Sequence, residues 1–388
     1  MLQMSVPGTR ALPNTVEAIL KVYRRVIERS PGAGGSGGRE VPPISSNQPL
    51  TRHPENPASA TAPHVLRSAV FAILRYSGVP FLLREIAQRS KVTIVVYHSP
   101  AVNQAKEHFR ALAARYNVIS LSDYMRAREE DTIRHLPPKS LIITFDDGHR
   151  SNFALKPLLE ESGLPIAIFL CSGVVGTNRH YWWFHTRCAA EVEAYKLMTD
   201  AQRVNCMLNQ GYNAQREFQD RQSLSFSEIE ALKPWVEFQS HTVTHPILTA
   251  CSDEKAEHEI MHSRTKLEEQ YKLSIQALAF PNGDYGEREI ALARKAGYTC
   301  ALTLDRGFND ERTDLFRLRR IALSDEASVH ELLVKTSGLW NLFRLSAVIK
   351  KRCGMPRHRS RTKNSDMCGT QKANPSKAFV PEDVKLKT

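Results

Sequence analysis

The stretch Leu141-Ile142-Ile143-Thr144-Phe145-Asp146-Asp147-Gly148 is an almost wholly apolar run that stops at two adjacent carboxylates and a glycine. A short β-branched run bounded by turn chemistry fits a strand buried on both faces, which is how parallel strands covered by helices read. Working outward, Val92 to Tyr97 and Ile166 to Leu170 have the same character, and Val236–Gln239, Ala277–Phe280 and Thr299–Thr303 are shorter candidates. Helical spacing separates the later ones, over Asp253 to Tyr271 and Glu287 to Ala296. Strands alternating with helices imply parallel pairing through right-handed crossovers. Six or seven such units suit an irregular (β/α) barrel better than an open sheet.

The ends of the chain read differently. Asn14-Thr15-Val16-Glu17 has the form of a helix start, and Val16, Ile19, Leu20, Tyr23, Val26 and Ile27 follow at helical spacing. Residues 30–63 are crowded with Gly, Pro, Ser and Asn, so residues 1–63 are expected to be a short helix and a flexible linker. Residues 64–90 read as an amphipathic helical lead-in, and the barrel is expected over 91–345. A helical insertion is expected near 173–223, where the alternation lapses into a stretch containing Trp, Tyr and Gln. The tail, 346–388, is expected to be disordered and basic; from Ile349 onward it holds eleven Lys or Arg against three acids.

That tail accounts for most of the formal charge of +12. With no recurring aromatic-plus-basic pattern elsewhere, the charge argues against a nucleic-acid partner. Seven scattered cysteines without a C-x-x-C pair point to reduced, mostly buried thiols. No cleavable export signal is visible in the first thirty residues, which mix charges throughout. The longest apolar stretch, Ser68 to Leu83, is broken by Arg75, Gly78 and Pro80, and is too short to span a bilayer. The expectation is a cytoplasmic protein, with a peripheral contact at the inner membrane surface through that stretch and the basic tail. Nothing in the sequence sets the oligomeric state.

Three motifs follow candidate strands, and strand ends are where a βα barrel builds its active site. In the first, burying both Asp146 and Asp147 is costly without a cation or another partner; otherwise the motif is an exposed Asp-Asp-Gly turn. The second is Ser240-His241-Thr242-Val243-Thr244-His245-Pro246. Two imidazoles four apart lie on one side of a helical turn and can grip one metal ion. Joined to a carboxylate from a neighbouring strand end, they make a His-His-Asp site with open positions. The third, Phe280-Pro281-Asn282-Gly283-Asp284-Tyr285, is strong turn chemistry that can also aim a backbone N–H at a developing oxyanion.

Taken in order, Tyr97-His98, TFDDG at 144–148, HTVTH at 241–245 and FPNG at 280–283 resemble the polysaccharide deacetylase family, carbohydrate esterase family four, also called the NodB homology domain. The similarity runs from about Lys91 to Leu323. It implies an α/β fold, a distorted (β/α)7 TIM-like barrel, and one divalent metal, usually zinc. It assigns Asp147, His241 and His245 as metal ligands and Asp146 as general base. The implied reaction is hydrolysis of N-acetyl groups on an amino-sugar polysaccharide or a lipid-linked glycan, a carbon–nitrogen bond outside peptides. A backbone N–H near Asn282 would stabilise the oxyanion. Phe280, Pro281 and the cluster Tyr181-Trp182-Trp183-Phe184, Trp183 among them, would line the groove; that cluster is otherwise core of the insertion.

The sequence also departs from the family. Many members carry an Arg two residues before the proline of the third motif, where this chain has Ala279, and a Leu-x-His near the end of the barrel, where it has Leu318-Arg319-Arg320-Ile321-Ala322-Leu323. The contact that orients Asp146 must therefore differ. The leaving amine receives its proton from Asp146 itself or from another group such as His98, which otherwise has a supporting role. These departures resemble the branch associated with exopolysaccharide and cell-envelope glycans. A non-catalytic glycan-binding relative and a metal amidase acting on a non-sugar amide are the competing readings; retention of Asp146 argues against the first.

Overall fold

A computed structural model describes residues 62–340. The candidate helix at 16–27, nearly all of the linker and the basic tail lie outside the described residues.

Eight parallel strands form one curled sheet: β1 Thr93–Tyr97, β2 Asn117–Val118, β3 Ser140–Phe145, β4 Ile166–Leu170, β5 Val236–Ser240, β6 Ala277–Ala279, β7 Cys300–Leu302 and β8 Ile321–Ala322. The spatial order is β7-β6-β5-β4-β3-β1-β8, with the two-residue β2 added beside β3. Seven strands in sequence with a helical outer layer make the distorted (β/α)7 barrel that the sequence implies. One segment bridges its two ends: Leu318 pairs with Leu302 of β7, and three residues later Ile321 and Ala322 pair with Val95 and Val96 of β1.

Side-chain parity sorts each strand between two cores. Ile94, Ile142, Phe169, Ala277, Ala279, Leu302 and Leu318 cluster together, while Val95, Ile143, Ile168, Leu278 and Ala301 join the larger cluster with the helices. This is the alternation of a pleated strand, with one face turned into the barrel. Register then lines up the strand ends. Tyr97 pairs with Phe145, Phe145 with Ile168, Leu170 with Ser240, and Ser240 with Leu278. His98, Asp146, His241 and the Phe280 turn therefore leave the sheet along one rim.

Between β4 and β5 the chain builds a 3-10 turn at Trp182–His185 and helices at Ala189–Lys196, Asp200–Asn209 and Phe226–Leu232. Trp182, Tyr195, Met207, Tyr212 and Ile247 form a small separate core there. Ile247 follows the two-histidine motif, so the insertion is fastened beside it. At the N-terminal side, helix Ala62–Tyr76 seats Val70, Phe71 and Leu74 against Val334 and Leu339. A bend at Gly78, where φ is 78°, leads into Val79–Leu82 and a π-helical turn, Leu83–Ala87.

The fully buried Phe169 ring sits in the barrel's inner cluster. Phe169→Ala is expected to lower unfolding free energy by about 3–5 kcal/mol, read by urea denaturation, because a closed barrel cannot collapse onto the void.

Candidate metal and catalytic centre

The ladder between β1 and β3 runs one step past the last strand pair, with the Asp146 N–H donating to the Tyr97 carbonyl at 2.9 Å. The inward parity of β3 puts the Asp146 side chain into the barrel mouth. The chain then reverses through two left-handed residues, Asp147 at φ 72° and Gly148 at φ 71°. A Cβ on Gly148 would lie 2.6 Å from Leu170 Cδ2, so glycine is required on both counts. The reversal turns the two adjacent carboxylates to different partners.

Asp146 faces Arg320, whose side chain is fully buried. The guanidinium donates from Nη1 and Nη2 to the two carboxylate oxygens at 2.8 and 2.9 Å, and from Nε to the Thr303 carbonyl at 2.9 Å. Burial alone would push the Asp146 pKa up, but the Arg320 charge, His241 and the Arg320 hydrogen bonds outweigh it and hold the carboxyl below its usual range. This fork is the orienting contact missing at Ala279. It arrives from beside β8, two strands away across β1.

Asp147 meets histidines. Its Oδ2 lies 3.0 Å from His149 Nε2; an ionised carboxylate only accepts, so His149 carries its proton on that nitrogen. Its Oδ1 is buried without a hydrogen-bond partner, 3.5 Å from both His241 Nε2 and His245 Nε2. Burial raises the Asp147 pKa, yet the His149 hydrogen bond and the nearby His245, His149 and His98 hold it well below normal. The Tyr181 hydroxyl donates to the Asp147 carbonyl at 2.5 Å and fixes the backbone of the turn.

The two imidazoles do not converge on a helical turn as their spacing suggests. Thr242 and His245 adopt φ of 68° and 57°, and residues 241–246 form an irregular loop. Pro246 cannot donate in a continuing helix, and a buried carboxylate offers the loop another hydrogen-bonding solution. Glu259 accepts from the Val243 and Thr244 N–H groups at 2.9 and 2.8 Å and from the Thr244 hydroxyl. Left-handed backbone at four non-glycine residues of one site, Asp147, Thr242, His245 and Asn282, is strain held by its surroundings.

His241 donates from Nδ1 to the Ala279 carbonyl at 2.8 Å. A carbonyl only accepts, so Nδ1 carries a proton, and Nε2 is the ring nitrogen turned toward Asp147. His245 is buried, which pushes its pKa down to about 3 and keeps it neutral. Asp147, His241 and His245 offer ligand atoms that all lie within 4.8 Å of one another. An orphaned carboxylate oxygen facing two imidazole nitrogens fits a divalent cation of borderline softness.

The remaining candidates differ in placement. Phe280 is fully buried and stacks on Tyr285 at 5.3 Å, so its ring is core and not an exposed groove wall. Pro281 is buried too. Asn282 takes φ 54°, and its Nδ2 is buried without a partner. A Cβ on Gly283 would meet Leu304 N at 2.7 Å, which locks the turn. Of the aromatic cluster, Tyr181 and Trp182 are buried, whereas Trp183 is partly exposed and lies edge-on to His245 at 4.5 Å. Half-buried His98 is held by its backbone: its N–H donates to Asp325 Oδ1 and its carbonyl accepts from Asn152 Nδ2. It is the smallest of the influences that lower the pKa of both carboxylates. Arg320, His149, Glu259, Asp325 and Tyr181 are supports that motif reading passes over. Arg320 sits in a run with Arg317 and Arg319, so nothing local singles it out.

Residues 134–301 match the family model described as polysaccharide deacetylase, a span that contains Asp146, Asp147, both histidines and Asn282. Over that span the chain is similar to the polysaccharide deacetylase family. A curated relative named for a polysaccharide deacetylase, YxkH of Bacillus subtilis (strain 168), is 20% identical over 187 residues, which is 48% of this chain and 52% of that protein. The match thus spans about half the relative's length. Among solved structures, the Streptococcus pyogenes deacetylase PplD in complex with acetate is 18% identical with a TM-score of 0.48, covering 63% of this chain and 98% of that one. IcaB from Ammonifex degensii is 16% identical with a TM-score of 0.46, covering 64% and 97%.

Arg320→Lys keeps a charge but loses the planar fork. It is expected to keep metal content and far-UV circular dichroism while cutting kcat by about 10²-fold, because a misplaced base costs that much. Arg320→Ala, which strands a buried carboxylate, is expected to lose about 3–5 kcal/mol of stability as well.

Proposed function

We propose that the chain is a metal-dependent hydrolase that removes N-acetyl groups from an amino-sugar polysaccharide or a lipid-linked glycan, with zinc as the metal. The observation that carries this reading is the division of labour between adjacent carboxylates: Asp147 is left with a bare oxygen between two imidazole nitrogens, and Asp146 is clamped by Arg320. A structural turn needs neither.

Asp147, His241 and His245 would hold the cation, which when bound supplies Lewis acidity that acidifies water and polarises an amide carbonyl. Asp146 takes the proton of the attacking water as the new carbon–oxygen bond forms. Its low basicity suits it to give that proton back to the leaving nitrogen, so one carboxylate serves both half-steps. The carbon–nitrogen bond then breaks, and acetate and a free amino sugar leave. Asn282 offers its unpartnered amide N–H to the developing oxyanion. Trp183, partly exposed beside His245, offers a ring face against which a sugar packs.

The test is acetate release by zinc-reconstituted protein from N-acetylglucosamine oligomers and from lipid-linked N-acetylated glycans. Asp146→Asn is expected to keep zinc and lose kcat by at least about 10³-fold, within the range general bases contribute. His241→Ala is expected to lose zinc. No release from any N-acetylated glycan with zinc bound would overturn the deacetylase reading, and release from simple acetamides alone would favour a metal amidase.

A further inference from the structure

The helical lead-in has two faces. One is committed to the domain, with Val70, Phe71 and Leu74 packed on Val334 and Leu339, and the Gln88 amide donating to the Thr336 carbonyl at 2.6 Å. The other carries Ile73, Tyr76, Phe81, Leu82 and Ile86 at 54%, 75%, 56%, 55% and 73% exposure. These five are half of the exposed large apolar residues in the described part of the chain, gathered into fourteen consecutive positions. Single exposed apolar side chains need no explanation, but a concentration of this kind does.

Cations edge the same segment. Arg75 lies over the Tyr76 ring at 5.2 Å and Arg84 over the Phe81 ring at 5.4 Å. Ile86 borders a cavity of about 730 Å³ that is also lined by Arg89, Lys91, Arg134 and Arg312, against Asp310 and Glu311. Glu311 is engaged by Arg134, so the cavity keeps a positive excess. The pair Leu66–Tyr76 and Val79–Ala87 passes for a membrane span in length and apolarity only jointly, across a 58° bend. With one face already spent on the domain core, it cannot cross a bilayer.

We infer that residues 73–86 form a membrane-docking element that lays Ile73, Tyr76, Phe81, Leu82 and Ile86 into the surface of an anionic bilayer, with Arg89 and Lys91 meeting lipid phosphates at its edge. The Arg75 stem lies along apolar surface with its charged head at the edge, whereas the Arg84 head is paired with Glu85 at 2.9 Å. A second copy of the chain is the poorer occupant. In a two-fold interface the patch meets an identical patch, which brings the Arg75, Arg89 and Lys91 charges of both copies to one seam. An anionic surface answers the same charges favourably. The inference does not depend on the deacetylase reading, since it concerns a surface that contains none of the site residues.

Flotation of the full-length protein with vesicles of equal parts phosphatidylcholine and phosphatidylglycerol tests it, with pure phosphatidylcholine vesicles beside them. Wild type is expected to float with the anionic vesicles and to retain part of that binding at high salt, where charge attraction is screened. The combined Phe81→Ser, Leu82→Ser and Ile86→Ser variant is expected to bind at least tenfold more weakly, with unchanged circular dichroism and zinc content. Arg89→Gln with Lys91→Gln is expected to erase the preference for anionic over neutral vesicles. Equal flotation of wild type and the triple-serine variant would overturn the inference by assigning all binding to the basic tail. So would absence of flotation, or a wild-type dimer in solution that the triple variant abolishes.

Discussion

Two neighbouring carboxylates buried at one strand end are the constraint to which the rest of the site answers. Both approach the same imidazole nitrogen, with Asp146 Oδ2 at 3.9 Å and Asp147 Oδ1 at 3.5 Å from His241 Nε2. Two such charges in a partly desolvated space repel by several kcal/mol unless each has its own compensation. The protein supplies it asymmetrically. Asp146 receives a whole guanidinium; Asp147 receives one imidazole N–H and keeps an oxygen free. In the proposed function that asymmetry separates a proton carrier from a ligand, although the two residues are adjacent and chemically identical.

The fold makes the asymmetry possible. Inward parity on β3 carries Asp146 into the barrel mouth, and the left-handed pair Asp147-Gly148 turns the next carboxylate toward β5. The segment that bridges the barrel, from Leu318 to Ala322, brings Arg320 inward between its bridge to β7 and its pairing with β1. β6 contributes through its backbone, because the Ala279 carbonyl sets the His241 tautomer. The loop after β5 depends on Glu259 in the following helix, which occupies two N–H groups that would otherwise be buried unpaired.

Much of this was legible in the sequence, for physical reasons. Buried parallel strands are apolar on both faces, so β1, β3 and β4 announce themselves, and the Asp253–Tyr271 helix follows from its spacing. The metal-ligand set is readable because Asp and His end three-residue-class motifs behind such strands. β2 and β8 are two residues long and leave no periodic signal. The helical picture of His241 to His245 fails because spacing reports which residues can share a face, not whether the backbone is helical; Thr242, His245 and Glu259 decide that. Arg320 was hidden by distance, since its partner is 174 residues away and no local pattern links them. Phe280 shows the converse: a ring beside a functional turn still belongs to the core.

The central claim is that Asp147, His241 and His245 form a metal site made of one oxygen and two imidazole nitrogens. X-ray absorption at the zinc edge on stoichiometrically loaded protein tests it most directly. The account predicts one zinc per chain, nitrogen and oxygen neighbours at about 2.0–2.2 Å, and the multiple-scattering signature of two imidazoles. A sulfur neighbour near ~2.3 Å, or an imidazole signature unchanged by His245→Ala, would contradict it.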